Sequence, residues 1–447
     1  MIERIEKLLH EKNYAGLKRI LEATNCADLV TYLEELKAEE LIVVFRLLPK
    51  EQAVEAFSYM EHDMQERLIH SMTDKELKEV TENLFLDDTV DLIEEMPATV
   101  VKRILASADA GQRKLINEFL NYPPDSAGSL MTIEFVDLKS YMTVEEAFDR
   151  IRKVGVDKES INTCYVLNEH RKLIGVVSVR ELLLSNKTEY IADIMETNLI
   201  TVTTHEDKEN VAQMFGKYDF NILPVVDNEY RLVGIITVDD AIDVIQEENT
   251  EDFEKMAALN PSEDSYFKTS VFKHAKNRIV WLLILMLSAT FTGTIITRYE
   301  EAFAAIPLLV AFIPMLMDTG GNCGSQTSTL VIRGMVMDEI HLKDYLKVLF
   351  KEIRVASLVG LGLAFVNGLR IFIQYHSNPE HFELALVIGL AIFATVILAK
   401  MIGCTLPMLA KLLKLDPALM ASPLITTIVD TCSILIYFNI AMRIMNL

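Results

Sequence analysis

Residues 279–297 read IVWLLILMLSATFTGTIIT, nineteen in succession without a charge. A helix of that length crosses a hydrocarbon layer of about 30 Å. Four more apolar runs follow, at 302–332, 355–375, 384–410 and 418–442. Each carries a single charged residue: Asp318, Arg370, Lys400 and Asp430 in turn. One such run is equally well explained by a buried core helix, but five in succession predict a five-helix transmembrane domain over 267–447.

Lysine and arginine set the expected orientation. Lys268, Lys273, Lys276 and Arg278 precede the first run. Arg333, Lys343, Lys347, Lys351 and Arg354 lie between the second and third, and Lys411 and Lys414 between the fourth and fifth. The opposite side holds only Arg298, Arg370 and Arg443. Positive charge stays inside, so the N-terminus is expected in the cytosol and the C-terminus outside, in a bacterial inner or plasma membrane. The N-terminal MIERIEKLLHEKNY has no apolar signal core and reads as a cytosolic helix. Five scattered cysteines (Cys26, Cys164, Cys323, Cys404 and Cys432) form no CxxC pair and suit a reducing compartment.

Two features exceed what an anchor needs. Asp430 lies in the middle of its run, where a charge costs about 2.5–3.5 kcal/mol on insertion scales. The second run contains Pro307, Pro314, Gly320, Gly321 and Gly324, and its segment 318–329, DTGGNCGSQTST, is polar. A broken span is expected here, its irregular backbone lining a wet path. A polar seam between helices is the alternative.

The formal charge of −22 falls entirely in the first 278 residues, since the remainder holds 11 acidic and 11 basic residues. Such a segment repels nucleic acid and attracts cations, or serves as an ordinary solubilising surface. Residues 1–128 repeat short helical units, such as DLVTYLEEL at 28–36 and DTVDLIEEM at 88–96, and predict an all-α solenoid. YPPDSAG at 122–128 ends it. Over 129–240 the chain duplicates itself: YVLNEHRKLIGVVSVRELL at 165–183 matches PVVDNEYRLVGIITVDDAI at 224–242, offset by 59. Each copy (129–190 and 191–240) reads strand–helix–strand–strand–helix. The two resemble a tandem pair of CBS modules, α/β sensors that do no chemistry and often bind adenine nucleotides or ions. Residues 241–266 then predict a connecting helix, acidic at Asp243, Glu247, Glu248, Glu251, Asp252 and Glu254.

The order of solenoid, CBS pair, acidic helix and five spans resembles the MgtE family of magnesium channels over essentially the whole chain. LDDTVDLIEE near Asp87, DTGGNCGSQTSTLVIRG in the second run and LDPALMASPLITTIVD ending at Asp430 carry the likeness. The resemblance implies a multidomain homodimer whose connecting helix acts as a plug. It implies a pore on the twofold axis, where Asp430 holds Mg²⁺ with help from Thr426, Asn322 and a turn at Gly321. Ser422 stands where the family pattern leads one to expect an amide, and its hydroxyl suits a hydrated ion. The implied cytosolic Mg²⁺ sensor comprises Asp87, Asp91, Asp207, Asp219, Asp240, Asp243, Glu248, Glu251, Asp252 and Asp416. Asp227 and Asp240 are the candidate ribose partners of an adenine nucleotide. Mg²⁺ is thus both substrate and regulator, and closure follows when it neutralises the acids. The main rival is an H⁺- or Na⁺-coupled divalent-cation exchanger. An enzyme is not expected, because no phosphate loop, HExxH or nucleophile elbow is present.

Overall fold

The computed structural model describes residues 2–262, 266–267, 269–299, 306–376, 381–420 and 422–445. Lys268, the 302–305 start of the second run and the Ser422 side chain lie outside the described residues. The chain forms two compact units, Met1–Ile245 and Gln246–Leu447.

The first unit opens with short helices from α1 (Ile2–His10) to α10 (Ala110–Phe119), each of 8 to 10 residues. Helices this short are marginal alone, so their stability comes from stacking. Leu17, Leu29, Leu41, Phe57, Leu68, Leu77, Val90 and Ile104 supply a continuous core. Local chemistry fixes several starts. Thr73 with Glu76, and Asp109 with Gln112, form reciprocal capping boxes, and Pro49 and Pro97 precede α5 (Lys50–Ser58) and α9 (Ala98–Ser107).

A one-turn helix α11 (Ala127–Leu130) leads into the duplicated part. Copy one runs β1 (Val136–Leu138), α12 (Val144–Val154), β2 (Thr163–Leu167), β3 (Leu173–Ser178) and α13 (Val179–Leu184). After α14 (Ile191–Ile194), copy two runs β4 (Val202–Thr203), α15 (Lys208–Tyr218), β5 (Ile222–Val226), β6 (Leu232–Thr237) and α16 (Val238–Met256). Each sheet pairs its first strand parallel and its last antiparallel to the middle one. The register slips at Val166/Leu167 and again at Val225/Val226, positions 59 apart like the sequence repeat. The copies also exchange lead-in segments. Thr132 bridges to Ile235, and Glu196 to Val176. Gly175 and Gly234 permit this approach, because a Cβ there would lie 2.6 Å from Met195 Sδ and 2.7 Å from the Thr132 carbonyl. The connecting helix is the continuation of the last helix of copy two, unbroken from Val238 to Met256.

The second unit holds α17 (Val271–Arg298), α18 (Ile313–Val336), α19 (Tyr345–Gln374), α20 (His381–Leu412) and α21 (Ser422–Met445). Among the described residues, four helices are long and apolar enough to cross a membrane: those containing α17, α19, α20 and α21. Helix α18 has 24 residues but a polar middle. It is also unbroken, which corrects the expectation of irregular backbone. Pro307 opens a 3₁₀ segment (Pro307–Phe312) and Pro314 sits in the first turn of α18, where a missing N–H costs nothing. The glycines serve packing. A Cβ on Gly320 or Gly321 would lie 2.8 Å from Val429 or Thr426 of α21, and one on Gly403 of α20 would lie 2.4 Å from the Gly324 carbonyl. Small residues let membrane helices approach closely without breaking.

Polar bonds pin these helices together. Thr292 of α17 meets Thr431 of α21 at 2.9 Å, and the Tyr437 hydroxyl donates to the Leu309 carbonyl at 2.9 Å. Lys400 of α20 donates to Thr327 of α18 at 3.0 Å and faces Glu352 of α19 at 3.5 Å, while Thr327 donates to the same carboxylate at 3.0 Å. The Lys400 and Glu352 side chains are 6% and 13% exposed. Removing one partner of a buried pair strands the other charge. Lys400→Met is therefore expected to destabilise the detergent-solubilised protein by about 3–5 kcal/mol, and Lys400→Met/Glu352→Gln to recover most of it. Thermal unfolding of both variants checks this; a single variant as stable as the parent would rule out the pairing.

Candidate ion-binding sites

Within the first unit, the apolar spacing of LDDTVDLIEE makes α8 (Leu86–Glu95) bury Leu86, Val90 and Ile93. Asp87 lies three residues before Val90 and is drawn into the same side, 9% exposed. Its Oδ1 is shielded from solvent and accepts no hydrogen bond. Asp87 and Asp88 occupy the first turn of α8, and Asp239 and Asp240 the first turn of α16. A helix N-terminus favours an acid, so each pair suits its own helix. Their mutual approach does not. Asp88, Asp240 and Glu159 all act electrostatically on Asp87.

Glu134 and Glu159 complete the cluster. Glu134 accepts from the Ile133 backbone N–H at 3.0 Å and from the Thr132 hydroxyl, and its carbonyl holds the Glu159 N–H at 2.9 Å. Asp240 accepts from the Thr237 hydroxyl at 2.6 Å. Burial first, then neighbouring carboxylates, raises the acids. Asp88 is pushed up to about 6 and Glu159 to about 7. Asp240 reaches about 6, burial and Asp239 outweighing the Thr237 bonds. Burial and Asp88 hold Asp87 well above the carboxylate range. The charges that act most strongly on these four are all carboxylates.

The structure thus gathers Asp87, Asp240 and Asp243 of the expected sensor and adds Asp88, Asp239, Glu134 and Glu159. Asp91 is exposed on α8, one turn beyond Asp87. Asp207 and Asp219 are held apart: Asp207 caps the start of α15, accepting from Glu209 N at 3.0 Å, and Asp219 ends it in the left-handed region. Eleven helical residues put about 16 Å between them, so one protomer cannot offer both to one ion. Asp227 Oδ1 accepts from the backbone N–H of Glu229 and Arg231 at 2.8 Å, within its own hairpin turn. Among the described residues no three His, Cys, Asp or Glu side chains converge into a ready-made metal cage.

In the second unit, Lys255 bridges Glu251 and Asp416, each at 2.7 Å. Burial works against the ammonium, but the two carboxylates outweigh it and raise it above its usual range. Glu248 and Asp252 lie on the same α16. Elsewhere in the second unit, Gly321 of α18 packs on Thr426 of α21. The expected turn at Gly321 and Asn322 is ordinary α-helix, because both residues sit within the unbroken α18. Thr426 and Asp430 are one turn apart on α21, and Ser422 opens that helix. Asp430 Oδ1 is shielded from solvent and accepts no hydrogen bond. On α18 the residues Asp318, Asn322 and Gln326 are exposed at four-residue spacing. A polar stripe on a helix of membrane length has to meet water or protein, since lipid offers it no partner.

Family models for a divalent cation transporter match residues 313–440, for an MgtE intracellular N domain 24–125, and for CBS domains 127–185 and 191–247. The magnesium transporter MgtE of Bacillus subtilis is 36% identical over 79% of this chain and 77% of its own length. That of Thermus thermophilus is 36% identical over 80% and 79%. The crystal structure of the cytosolic domain of the Mg²⁺ channel MgtE in complex with ATP is 37% identical and superposes with a TM-score of 0.52. It covers 55% of this chain and all of that one.

Raised carboxylates favour the fold only while protonated. Their contribution is complete below about pH 4, the unfolded value, and is lost as pH rises through 6 and 7. In buffer free of divalent ions, the 1–245 unit of the full-length protein is therefore expected to resist proteolysis at pH 5 and yield at pH 8. Asp87→Asn is expected to flatten that dependence. Equal digestion rates at both pH values would contradict the uncompensated cluster.

Proposed function

Because the chain belongs to the MgtE family of magnesium transporters, we propose that it is a dimeric Mg²⁺ channel that closes when cytosolic Mg²⁺ fills its acidic cluster. Asp87 carries the reading: a buried carboxylate among acids, with one oxygen lacking any hydrogen bond. Such a group demands a proton or a cation. Mg²⁺ fits the demand without a preformed cage, because it dehydrates reluctantly and binds through one or two carboxylates with its waters kept. When bound it neutralises the facing first turns of α8 and α16 and favours the packed arrangement over a separated one. Helix α16 is a single unbroken rod of 19 residues, with Asp239 and Asp240 in its first turn and Lys255 in its last. A shift at one end therefore moves the other. Asp91, Asp207, Asp219, Asp243, Glu248, Glu251, Asp252 and Asp416 are the further acids assigned to this control, Asp207 and Asp219 serving separate ions.

The conducting path is assigned to α18 and α21, which cross on glycines, Gly321 packing against Thr426, and offer the side chains of Asp430, Thr426 and Asn322. A twofold axis beside Asp430 would bring two carboxylates to one hydrated ion. The N-terminal unit lies in the cytosol and the C-terminus outside, as the lysine and arginine bias requires. An adenine nucleotide is assigned to the CBS pair near Asp227 and Asp240, supported by the similar solved domain in complex with ATP. An exchanger needs titratable groups at membrane depth beyond the carboxylates that hold the permeating ion. Lys400 and Glu352 are occupied with each other.

Currents in excised patches decide between these. Wild type should conduct at low cytosolic Mg²⁺ and shut as Mg²⁺ rises. Asp430→Asn should abolish selective Mg²⁺ current. Asp87→Asn should conduct but require roughly tenfold more cytosolic Mg²⁺ to close, as loss of about 1.4 kcal/mol in binding implies. Flux that requires a proton or sodium gradient would replace the channel with the exchanger.

A further inference from the structure

Asp318 plays no part in the sites described so far. It lies in the second turn of α18, inside the polar stripe with Asn322 and Gln326, and it is exposed. The crossing with α21 fixes its level. Gly320 approaches Val429 and Ser433, Gly321 approaches Thr426, and Gly324 approaches Ile425 and Val429. Rising numbers on α18 meet falling numbers on α21, so the helices run antiparallel. Asp318, two residues before Gly320, comes level with Asp430 or slightly past it toward the end of α21. The two carboxylates are close enough for Asp318 to act on Asp430 electrostatically. No ion pair among the described residues engages either acid, and Lys400 is committed to Glu352.

Two like charges brought together at membrane depth oppose each other unless a cation joins them. The shielded Asp430 Oδ1 accepts no hydrogen bond, so no protein donor compensates that oxygen. Lipid cannot face the exposed Asp318 stripe, so it borders water or a second copy of the chain.

We propose that Asp318 is a second acidic station of the ion path, just outside Asp430, which captures the incoming hydrated divalent cation and sets the preference for divalent over monovalent ions. The proposal rests on the pore assignment of Asp430 and on the cytosolic placement of the N-terminus. Two stations in series also answer the problem of release. An ion held at Asp318 repels one held at Asp430, so the inner ion leaves although each site binds. A divalent ion gains twice what a monovalent ion gains from each added carboxylate, so the second acid sharpens valence selection.

The test measures external Mg²⁺ dependence of current, and external Mg²⁺ block of Na⁺ current, in full-length wild type, Asp318→Asn, Asp318→Glu and Asp430→Asn. Asp318→Asn should weaken both by roughly tenfold, equivalent to about 1.4 kcal/mol, and Asp318→Glu should restore most of the effect. Inhibition by cytosolic Mg²⁺ should stay at its wild-type concentration. Asp318→Cys should react with a cationic thiol reagent added outside, and external Mg²⁺ should slow the reaction; this readout survives if Asp318→Asn expresses poorly. Wild-type affinity and block in Asp318→Asn, with Asp430→Asn dead, would overturn the role of Asp318 alone. Wild-type behaviour in both variants would overturn the path itself and this station with it.

Discussion

A carboxylate taken out of water must be protonated, paired with a cation or given an ion, because burial alone disfavours its charge. Both units of this protein are arranged around that constraint, and they meet it differently. Glu352 is paired internally by Lys400 and Thr327. Glu251 and Asp416 share Lys255. For Asp87, Asp88, Asp240 and Glu159 the charges that act most strongly are other carboxylates. Asp430 has one oxygen that accepts no hydrogen bond. A fold that supplies lysines in some places and omits them in others leaves concentrated negative charge at defined positions. A mobile divalent cation is the species suited to neutralise it.

The contrast between Lys255 and the Asp87 cluster shows how an ion becomes a signal. A tethered ammonium is present at any ion concentration, so the contact between α16 and Asp416 is permanent chemistry. On the proposed reading the acidic cluster is neutralised by a soluble cation, and its packing is then stable only above some concentration of that cation, by mass action. The acids opposing one another at the starts of α8 and α16 feel mainly each other's charge. On that reading, a lysine in place of one of them would strengthen the packing and remove its dependence on the cation.

Much of this organisation is legible in the sequence, for reasons that can be located. The 59-residue repeat foretells two copies of strand–helix–strand–strand–helix, and the structure adds register slips at the same offset, Val166/Leu167 and Val225/Val226. Period and length alone identify the apolar helices. The failures are tertiary. Gly320, Gly321 and Gly324 read as breaks, because a glycine run in a single sequence looks the same whether it unwinds a helix or admits a neighbour's backbone. Only the crossing with α21 distinguishes the two. Glu134 and Glu159 carry no local signal, since what places them beside Asp88 is the packing of the CBS pair against the solenoid. Glu352 falls three residues before its apolar run, yet α19 begins at Tyr345 and carries it inside the bundle. Asp88 and Asp239 are adjacent to residues that the family likeness names, and nothing local separates them from an ordinary acidic first turn.

The same reasoning explains why α18 is polar without being irregular. An unwound span exposes backbone carbonyls to an ion but must satisfy every freed N–H elsewhere. A continuous helix avoids that demand and presents side chains instead, at four-residue spacing, so Asp318, Asn322 and Gln326 share one face. The glycines on the adjoining face bring α21 close, with Gly321 against Thr426 and Gly320 and Gly324 against Val429. Close packing on one side and polarity on the other are thus two uses of one helix.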